Sequence, residues 1–421
     1  MTHRSLKLRL FASLPFIINA FGLCAQDARE DQLIDSINAA LVIPRGGFIA
    51  PVVLNAFFSH QVSRYLSTSG DLTISKGFAV LDNADDRLAI GGQLALGKGI
   101  TGYTRWVASA AFKADIKKGF STVFKNGDEQ SDLGVVLKLT HIWRAMLRNG
   151  TFGTQEQHVR ENGICAATEL QGALARKTAK AWSEAERTAR GITGLMVDTM
   201  AYHEQSRKLI NELASAAAKE IAEKKYYRTS HAWWVSTEAF VPFSQTNYYT
   251  VDSVTAALWD THELRAIEAK ISPTYLYTNR YLGTTFLTAW FGYLNNNNIL
   301  SKQLTTSAAS SNASNNMGDT LALVQLDSKS DVGIGQYARF DTYKVGGRLV
   351  WMFRSWMGVS GEFEKWPGDY EPLNWKLGVP FALNNEKGER VINFELQWRE
   401  QLGVHSLGLS VGLPFGGSLY R

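Results

Sequence analysis

Fifteen ionisable side chains recur on one parity of alternating segments in this chain. Ten are basic (Arg105, Lys113, Lys138, Arg144, Lys270, Lys344, Arg348, Arg354, Lys376 and Arg399) and five are acidic (Glu238, Glu268, Glu362, Glu364 and Glu395). Residues two apart on an extended chain share a face, so these groups would line one side of a series of strands. If that side encloses water, an excess of bases raises the local anion concentration and favours anionic solutes. The plainer account is that the charges pair across neighbouring strands and only solvate an interior, and it explains the same residues at least as well.

A second chemistry would need a nucleophile beside a base that a third group orients. The candidates are His141 with Thr140 and His405 with Ser406, as in a lipid hydrolase built into a barrel wall. Neither pair shows a carboxylate or carboxamide at matching height on an adjacent segment, so catalysis is not expected. His158 and His203 lack the spacing of a metal pair, and the chain has no CxxC, HExxH or phosphate-loop motif. Neither a metal nor a cofactor is expected.

The elements that must hold these residues are clearest near the C-terminus. From Leu407 to Phe415, Leu407, Leu409, Val411, Leu413 and Phe415 alternate with Gly408, Ser410, Gly412 and Pro414. The same device occupies Ile392–Trp398 and Leu373–Leu383, each about ten residues long, the length a tilted strand needs to cross a bilayer. Lipid cannot hydrogen-bond a free backbone group, so strands cross it only as a closed barrel, apolar outside and wet inside.

Alternation is weak over Gly47–Phe58, which is read as a first strand. It is readable over Leu72–Val80 (with Leu72, Ile74, Phe78 and Val80 outward), Leu88–Leu96, Trp106–Lys113 and Leu133–Arg144, and short over Gly119–Phe124. Later strands fall at Trp233–Val241, Ile267–Tyr275, Leu282–Leu294, Tyr343–Arg354 and Met357–Glu364. Leu282–Leu294 is apolar on both parities, so its facing stays open. The sum is fourteen antiparallel up-and-down strands, or twelve if the weakest are not real. Counting back from a periplasmic C-terminus puts the short links at Asn384–Glu389, Arg354–Ser355, Asn279–Arg280, Ile116–Lys118 and Asp82–Asp86 inside. The mostly longer links at Pro367–Pro372, Asn295–Gln336, Thr246–Thr261 and His60–Gly70 fall outside, the usual asymmetry. Trp143, Trp233, Trp351, Trp356, Trp366, Trp398, Tyr343 and Tyr370 fall near strand ends or outward faces, as interfacial aromatics do.

Between the two halves of the barrel, 46–148 and 229–421, lies a helical insertion at 149–228, free of proline, with Ile210, Leu213, Ala217 and Ile221 on one stripe. On the periplasmic side it would plug the pore or dock a periplasmic protein or peptidoglycan. Residues 1–25 read as a secretory leader, with Arg4, Lys7 and Arg9 before an apolar run and cleavage after Ala25. A lipidated Cys24 is disfavoured by bulky Leu23. Residues 26–45 read as a short amphipathic helix at Leu33, Ile34, Ile37 and Leu41.

Composition excludes several classes. A mean hydropathy of −0.15 with 20% charged residues is too polar for a bundle of membrane helices. The net charge of +5 over 421 residues falls to +2 without the leader, so nucleic acid is not implied. With Cys24 removed, Cys165 stands alone and no intrachain disulfide can form.

The leader, the repeated alternating strands and the apolar final strand running to Leu419-Tyr420-Arg421 resemble Gram-negative outer-membrane β-barrel proteins. The resemblance is to the architectural class. Tyr420 is penultimate, one place from where the assembly machinery of that class usually meets its aromatic residue. Fourteen strands with an N-terminal helix also resemble the long-chain fatty-acid transporters, but their Asn-Pro-Phe signature is absent and no residues are carried over. The expectation is an outer-membrane channel or porin-like transporter for small polar solutes, anion-preferring and not an enzyme, in contact with outer-membrane lipid. The alternatives are a structural or assembly barrel anchoring a periplasmic partner and, less favoured, the barrel-wall hydrolase.

Overall fold

A computed structural model describes residues 50–68, 71–82, 87–96, 106–115, 124–125, 128–129, 133–143, 146–148, 199–251, 260–299, 304–308, 331–367, 373–384, 390–401 and 404–419. Twelve strands form a ring: β1 (Ser75–Asp82), β2 (Arg87–Leu96), β3 (Trp106–Asp115), β4 (Gly134–Ile142), β5 (Thr229–Pro242), β6 (Glu268–Asn279), β7 (Gly283–Asn297), β8 (Arg339–Met352), β9 (Val359–Lys365), β10 (Leu373–Asn384), β11 (Arg390–Gln401) and β12 (Val404–Ser418). Each pairs antiparallel with the next, and β12 closes on β1 through registers such as Leu413 opposite Ala79 and Ser410 opposite Asp82. Closure leaves no strand edge, which is what hydrocarbon demands.

The count of twelve comes from losing the two weakest of the fourteen expected strands. Among the described residues Phe124–Lys125 pairs with Asp128–Glu129 and with no strand of the ring. The Gly47–Phe58 stretch is no strand: Pro51–Val62 is a helix, α1. Its Val and Phe content favours strands by propensity, but a strand in the interior would need a hydrogen-bonded neighbour on each side. A helix satisfies its own backbone, and Pro51 fits its first turn, where the missing N–H costs nothing. Apolar residues on all sides suit a helix surrounded by protein.

Losing those strands reverses the expected sidedness before the insertion. The links at 82–87 and 115–134 lie at the end opposite the C-terminus, and the link at 96–106 lies with it. From the insertion onward the sides are as expected, and the insertion opens at the C-terminal end. The far end carries a four-stranded sheet of Asp260–Leu264, Thr246–Val251, Asp331–Ile334 and Thr305–Ala308, in that order.

Cross-strand register fixes which face is which. Leu94, Phe112, Leu137, Leu287, Leu349, Phe363, Leu377 and Leu396 are exposed on the outside. β1 departs from the expected parity: Phe78 and Val80 are buried inside and Leu81 is outside. They face inward because Leu66, Ala111 and Val136 meet them there. Leu72 and Ile74, expected outward, precede the strand and belong to the interior core. The undecided β7 faces Thr284, Phe286, Thr288 and Trp290 inward and Leu287 and Phe291 outward.

Outward aromatics form two rows. At the C-terminal end sit Trp106, Trp143, Trp233, Trp351 and Trp356, with the Trp143 and Trp233 rings stacked at 3.8 Å. At the far end sit Tyr293, Tyr343, Trp375 and Trp398. Tyr343 and Trp351 are eight residues apart on β8, or about 26 Å along the strand, which a tilt of about 40° reduces to about 20 Å. That suits an apolar band about 25 Å tall. Trp366, expected in such a row, is instead buried inside, and Tyr370 lies outside the described residues.

Leu287→Arg, on the lipid side of β7, is expected to cost about 2–4 kcal/mol of folding stability in vesicles. Urea unfolding of the refolded barrel measures it. A change below about 0.5 kcal/mol, the scale of ordinary surface substitutions, would mean that lipid does not bathe this face.

Candidate solute-binding lumen

The interior is divided between a dry end and a wet one. At the C-terminal end, α1 and α2 (Thr199–Glu223) pack on inward residues of the wall, including Val107, Ile142, Trp234, Leu276, Phe286, Val350 and Met352. α2 contributes Ile210, Leu213, Ala214, Ala217, Ala218 and Ile221, three and four residues apart, so one stripe meets α1 and the core. Its alanines let the two helices approach closely. Phe57 packs edge-on against Tyr227 at 5.0 Å between ring centroids, and Phe58 against Trp234 at 6.1 Å.

From α1 the chain crosses the lumen as a strap, described at residues 63–68 and 71–74, before entering β1. The strap is tied to the wall by side chains rather than by a sheet ladder. Arg64 Nη1 donates to Thr284 Oγ1 at 2.7 Å on β7, and Ser410 Oγ on β12 donates to the Ser67 carbonyl at 2.5 Å. Tyr65 donates to Glu395 Oε2 at 3.3 Å on β11, and Lys138 Nζ on β4 donates to the Asp71 carbonyl at 2.7 Å. The Asp71 carboxylate pairs with Arg348 on β8 and accepts from the backbone amides of Ser67 and Thr68, both at 2.8 Å. Burial works against ionisation of Asp71, but the Arg348 guanidinium and the two amides outweigh it and hold the carboxyl below the usual carboxylate range.

Beyond the strap lies a cavity of about 440 Å3. Of the fifteen charges picked out by spacing, Lys113, Glu238, Glu268, Lys270, Lys344, Arg348, Glu362, Glu364, Lys376 and Arg399 line it. Lys138 and Glu395 face inward but are buried against the strap. Arg354 does not belong to the wall: it sits exposed in the turn between β8 and β9, where alternation has ended. Arg105 and Arg144 lie outside the described residues.

The lumen charges are knitted together. Lys344 meets Glu268 at 2.9 Å, Lys376 meets Glu362 at 3.2 Å and Glu395 at 3.7 Å, and Arg348 reaches Glu362 at 3.9 Å. Glu364 accepts from the indole N–H of both Trp290 (2.9 Å) and Trp366 (2.6 Å), while Lys270 and Lys344 lie over those rings, each 4.9 Å from the centroid. Spacing found the charges and missed the strap. Asp71, Tyr65 and Arg64 lie outside any alternating segment, and nothing local marks them as partners of residues hundreds of positions away.

The two histidine pairs are not brought together as nucleophile and base. Thr140 faces inward and bonds Ser236 at 2.8 Å, while His141 sits between Trp106 and Trp143. His405 is outside, 3.9 Å from Glu400, a carboxylate that spacing did not anticipate; Ser406 points inward and accepts from Arg399 Nε at 3.2 Å. His203 lies on α2, and His158 falls outside the described residues.

Removing one side of the Asp71–Arg348 pair leaves a buried charge, so Arg348→Ala is expected to cost about 3–5 kcal/mol of stability. Thermal unfolding followed by heat-modifiable electrophoretic mobility measures it, and Asp71→Asn together with Arg348→Gln is expected to recover part of the loss.

No family model matches the chain, and no curated protein matches it. Solved structures similar to it include the KdgM porin (6% identity, TM-score 0.27, covering 80% of this chain and 97% of that one) and the NanC porin (6%, 0.28, 81% and 98%). A loop L8 deletion mutant of OmpT, an outer membrane protein of Vibrio cholerae, is also similar (7%, 0.23, 80% and 96%). Likenesses this distant carry no argument of their own. The closed antiparallel ring, its apolar belt with two aromatic rows and its charged interior give this chain the architecture of the β-barrel proteins of the Gram-negative outer membrane.

Proposed function

We propose that this protein is an outer-membrane channel for small polar solutes, gated from within by the strap and the two helices behind it. The observation that carries the reading is a charged cavity of about 440 Å3 that ends on a segment outside the sheet, held to six strands by side-chain contacts and, at its end, by the Leu419 N–H donating to the Ile74 carbonyl at 2.7 Å. A structural barrel could fill its interior with apolar side chains throughout. This one spends seven bases (Lys113, Lys138, Lys270, Lys344, Arg348, Lys376, Arg399) on keeping its interior polar. A strap outside the sheet can move without breaking the ring.

Those seven wall bases and Arg64 of the strap face Glu238, Glu268, Glu362, Glu364 and Glu395 on the wall, together with Asp71 and Asp82, eight bases against seven acids among the described residues. The balance supports weak charge selectivity instead of the anion preference that ten bases against five acids would give. The reversal potential in a salt gradient is therefore expected close to zero; a strong anion potential would restore the selective reading.

The insertion acts as part of the plug, a reading supported by the packing of α2 on α1. Its other side is polar, with Lys219 paired to Glu223 at 3.8 Å and Lys224 to Glu220 at 2.7 Å, and is where a periplasmic protein or peptidoglycan would be met. No catalytic role is assigned, because the hydroxyl of Ser406 and the ring of His405 occupy opposite faces of β12.

Planar-bilayer recording of the refolded chain tests the channel. Wild type is expected to be mostly closed, with Arg348→Gln raising the frequency of openings and deletion of 149–225 enlarging the conductance. Unchanged conductance in the deletion, with loss of a bound periplasmic partner, would make the insertion a docking arm. If neither variant conducts while its barrel stays folded, the channel reading fails.

A further inference from the structure

The outward aromatic row at the far end holds groups that hydrocarbon cannot satisfy. Trp375 on β10, Glu400 on β11 and His405 on β12 stand opposite one another in register, so three adjacent strands set an indole, a carboxylate and an imidazole side by side on the outer face. Glu400 Oε2 accepts from the Trp375 indole N–H at 2.6 Å and lies 3.9 Å from His405 Nε2. Trp398, two residues back along β11, sets its ring edge-on to Trp375 at 5.0 Å between centroids, with the imidazole at 6.1 Å. Among the described residues, Glu400 Oε1, His405 Nδ1 and Trp398 Nε1 have no hydrogen-bond partner. All three side chains can be reached from outside, being 29%, 58% and 48% exposed.

The row lies within two residues of the ends of β10, β11 and β12, and Trp375 and Glu400 also border the mouth of the cavity. That is the level at which hydrocarbon gives way to headgroups, where amphipathic rings settle and a charge on the lipid side costs little. We propose that Trp375, Trp398, Glu400 and His405 form a site for the sugar headgroup of a glycolipid in the surrounding leaflet. A sugar ring offers an apolar C–H face to the exposed Trp398 indole and hydroxyls that donate to the remaining Glu400 oxygen. Further hydroxyls donate to the imidazole or accept from it, whichever tautomer it holds. Toward the middle of the belt the exposed Leu377, Leu396 and Leu407 give acyl chains a track, which commits the sugar to a lipid. Charge argues against the phosphate of a phospholipid: a carboxylate sits at the centre of the cluster, and the outward base Lys365 stands two strands away on β9, opposite Leu373. The other aromatic row makes the contrast. There His141 sits between Trp106 and Trp143, and its cross-strand neighbours are Trp106 and Val235, so that row has the rings and the imidazole without the carboxylate.

The test is binding of a monoglucosyl diacylglycerol to the full-length refolded barrel in a sugar-free polyoxyethylene detergent, counted by native mass spectrometry. Phosphatidylglycerol, phosphatidylethanolamine and free methyl glucoside serve as competitors. Wild type is expected to retain the glucolipid against each of them. His405→Leu and Glu400→Gln are each expected to weaken retention about tenfold, the worth of one good hydrogen bond. Leucine suits a lipid face and glutamine still accepts from the Trp375 indole, so both barrels are expected to keep wild-type heat stability, separating lost binding from lost folding. His141→Leu, in the other row, is expected to stay within about twofold of wild type, the usual spread for a position away from the site. No retention by wild type, equal retention by wild type and His405→Leu, or displacement by either phospholipid would overturn the assignment. Displacement by methyl glucoside would make free sugar the ligand and overturn the lipid source. Conductance enters none of these measurements, so the site and the channel stand or fall separately.

Discussion

Every peptide group in the membrane-spanning part of this protein must find its partner within the protein, because the lipid around it offers none. That constraint accounts for the ring. It forces β12 back onto β1, makes the strand number even for a meander whose ends share a side, and leaves each strand one face for lipid and one for the lumen. The outer face then needs only apolar bulk, and the aromatic rows mark where the hydrocarbon ends.

The inner face has the opposite problem. A ring of twelve strands is too wide for its own side chains to fill, so the chain fills it in two ways. At the C-terminal end a helix, free of any need for sheet neighbours, brings its own apolar surface and meets a second helix there. At the other end the wall keeps water and charges. Between them the strap is positioned by ion pairs and hydrogen bonds to six different strands. Buried ion pairs contribute little net stability against an apolar alternative. What these contribute is position, since Asp71 satisfies both Arg348 and the strap's own amides in only one place.

The same balance shapes the charge of the lumen. Lysines and glutamates on adjacent strands, or across one intervening strand as in Lys344–Glu268, neutralise one another, and the Trp290–Glu364–Trp366 bridge locks two indoles in place with a lysine over each. The wall is therefore polar without a strong sign.

Period-two alternation by itself determined the twelve strands of the ring, most of the lipid-facing belt and most of the inward charges, because burial against lipid or water acts on one residue at a time and so is written residue by residue. It misread what depends on partners. Val52, Val53, Phe57 and Phe58 look like strand but have no strand to pair with, so they became a helix; Phe78 and Val80 look lipid-facing, yet Leu66 of the strap draws them inward. Arg354 keeps the parity of the wall but lies past the last bonded residue of β8, where parity no longer means a side. Only the tertiary structure decided the strap, its anchor Asp71 and the pairing of the charges. Each of these is a contact between residues far apart in the chain, and loop closure around a ring, not local propensity, brings them together.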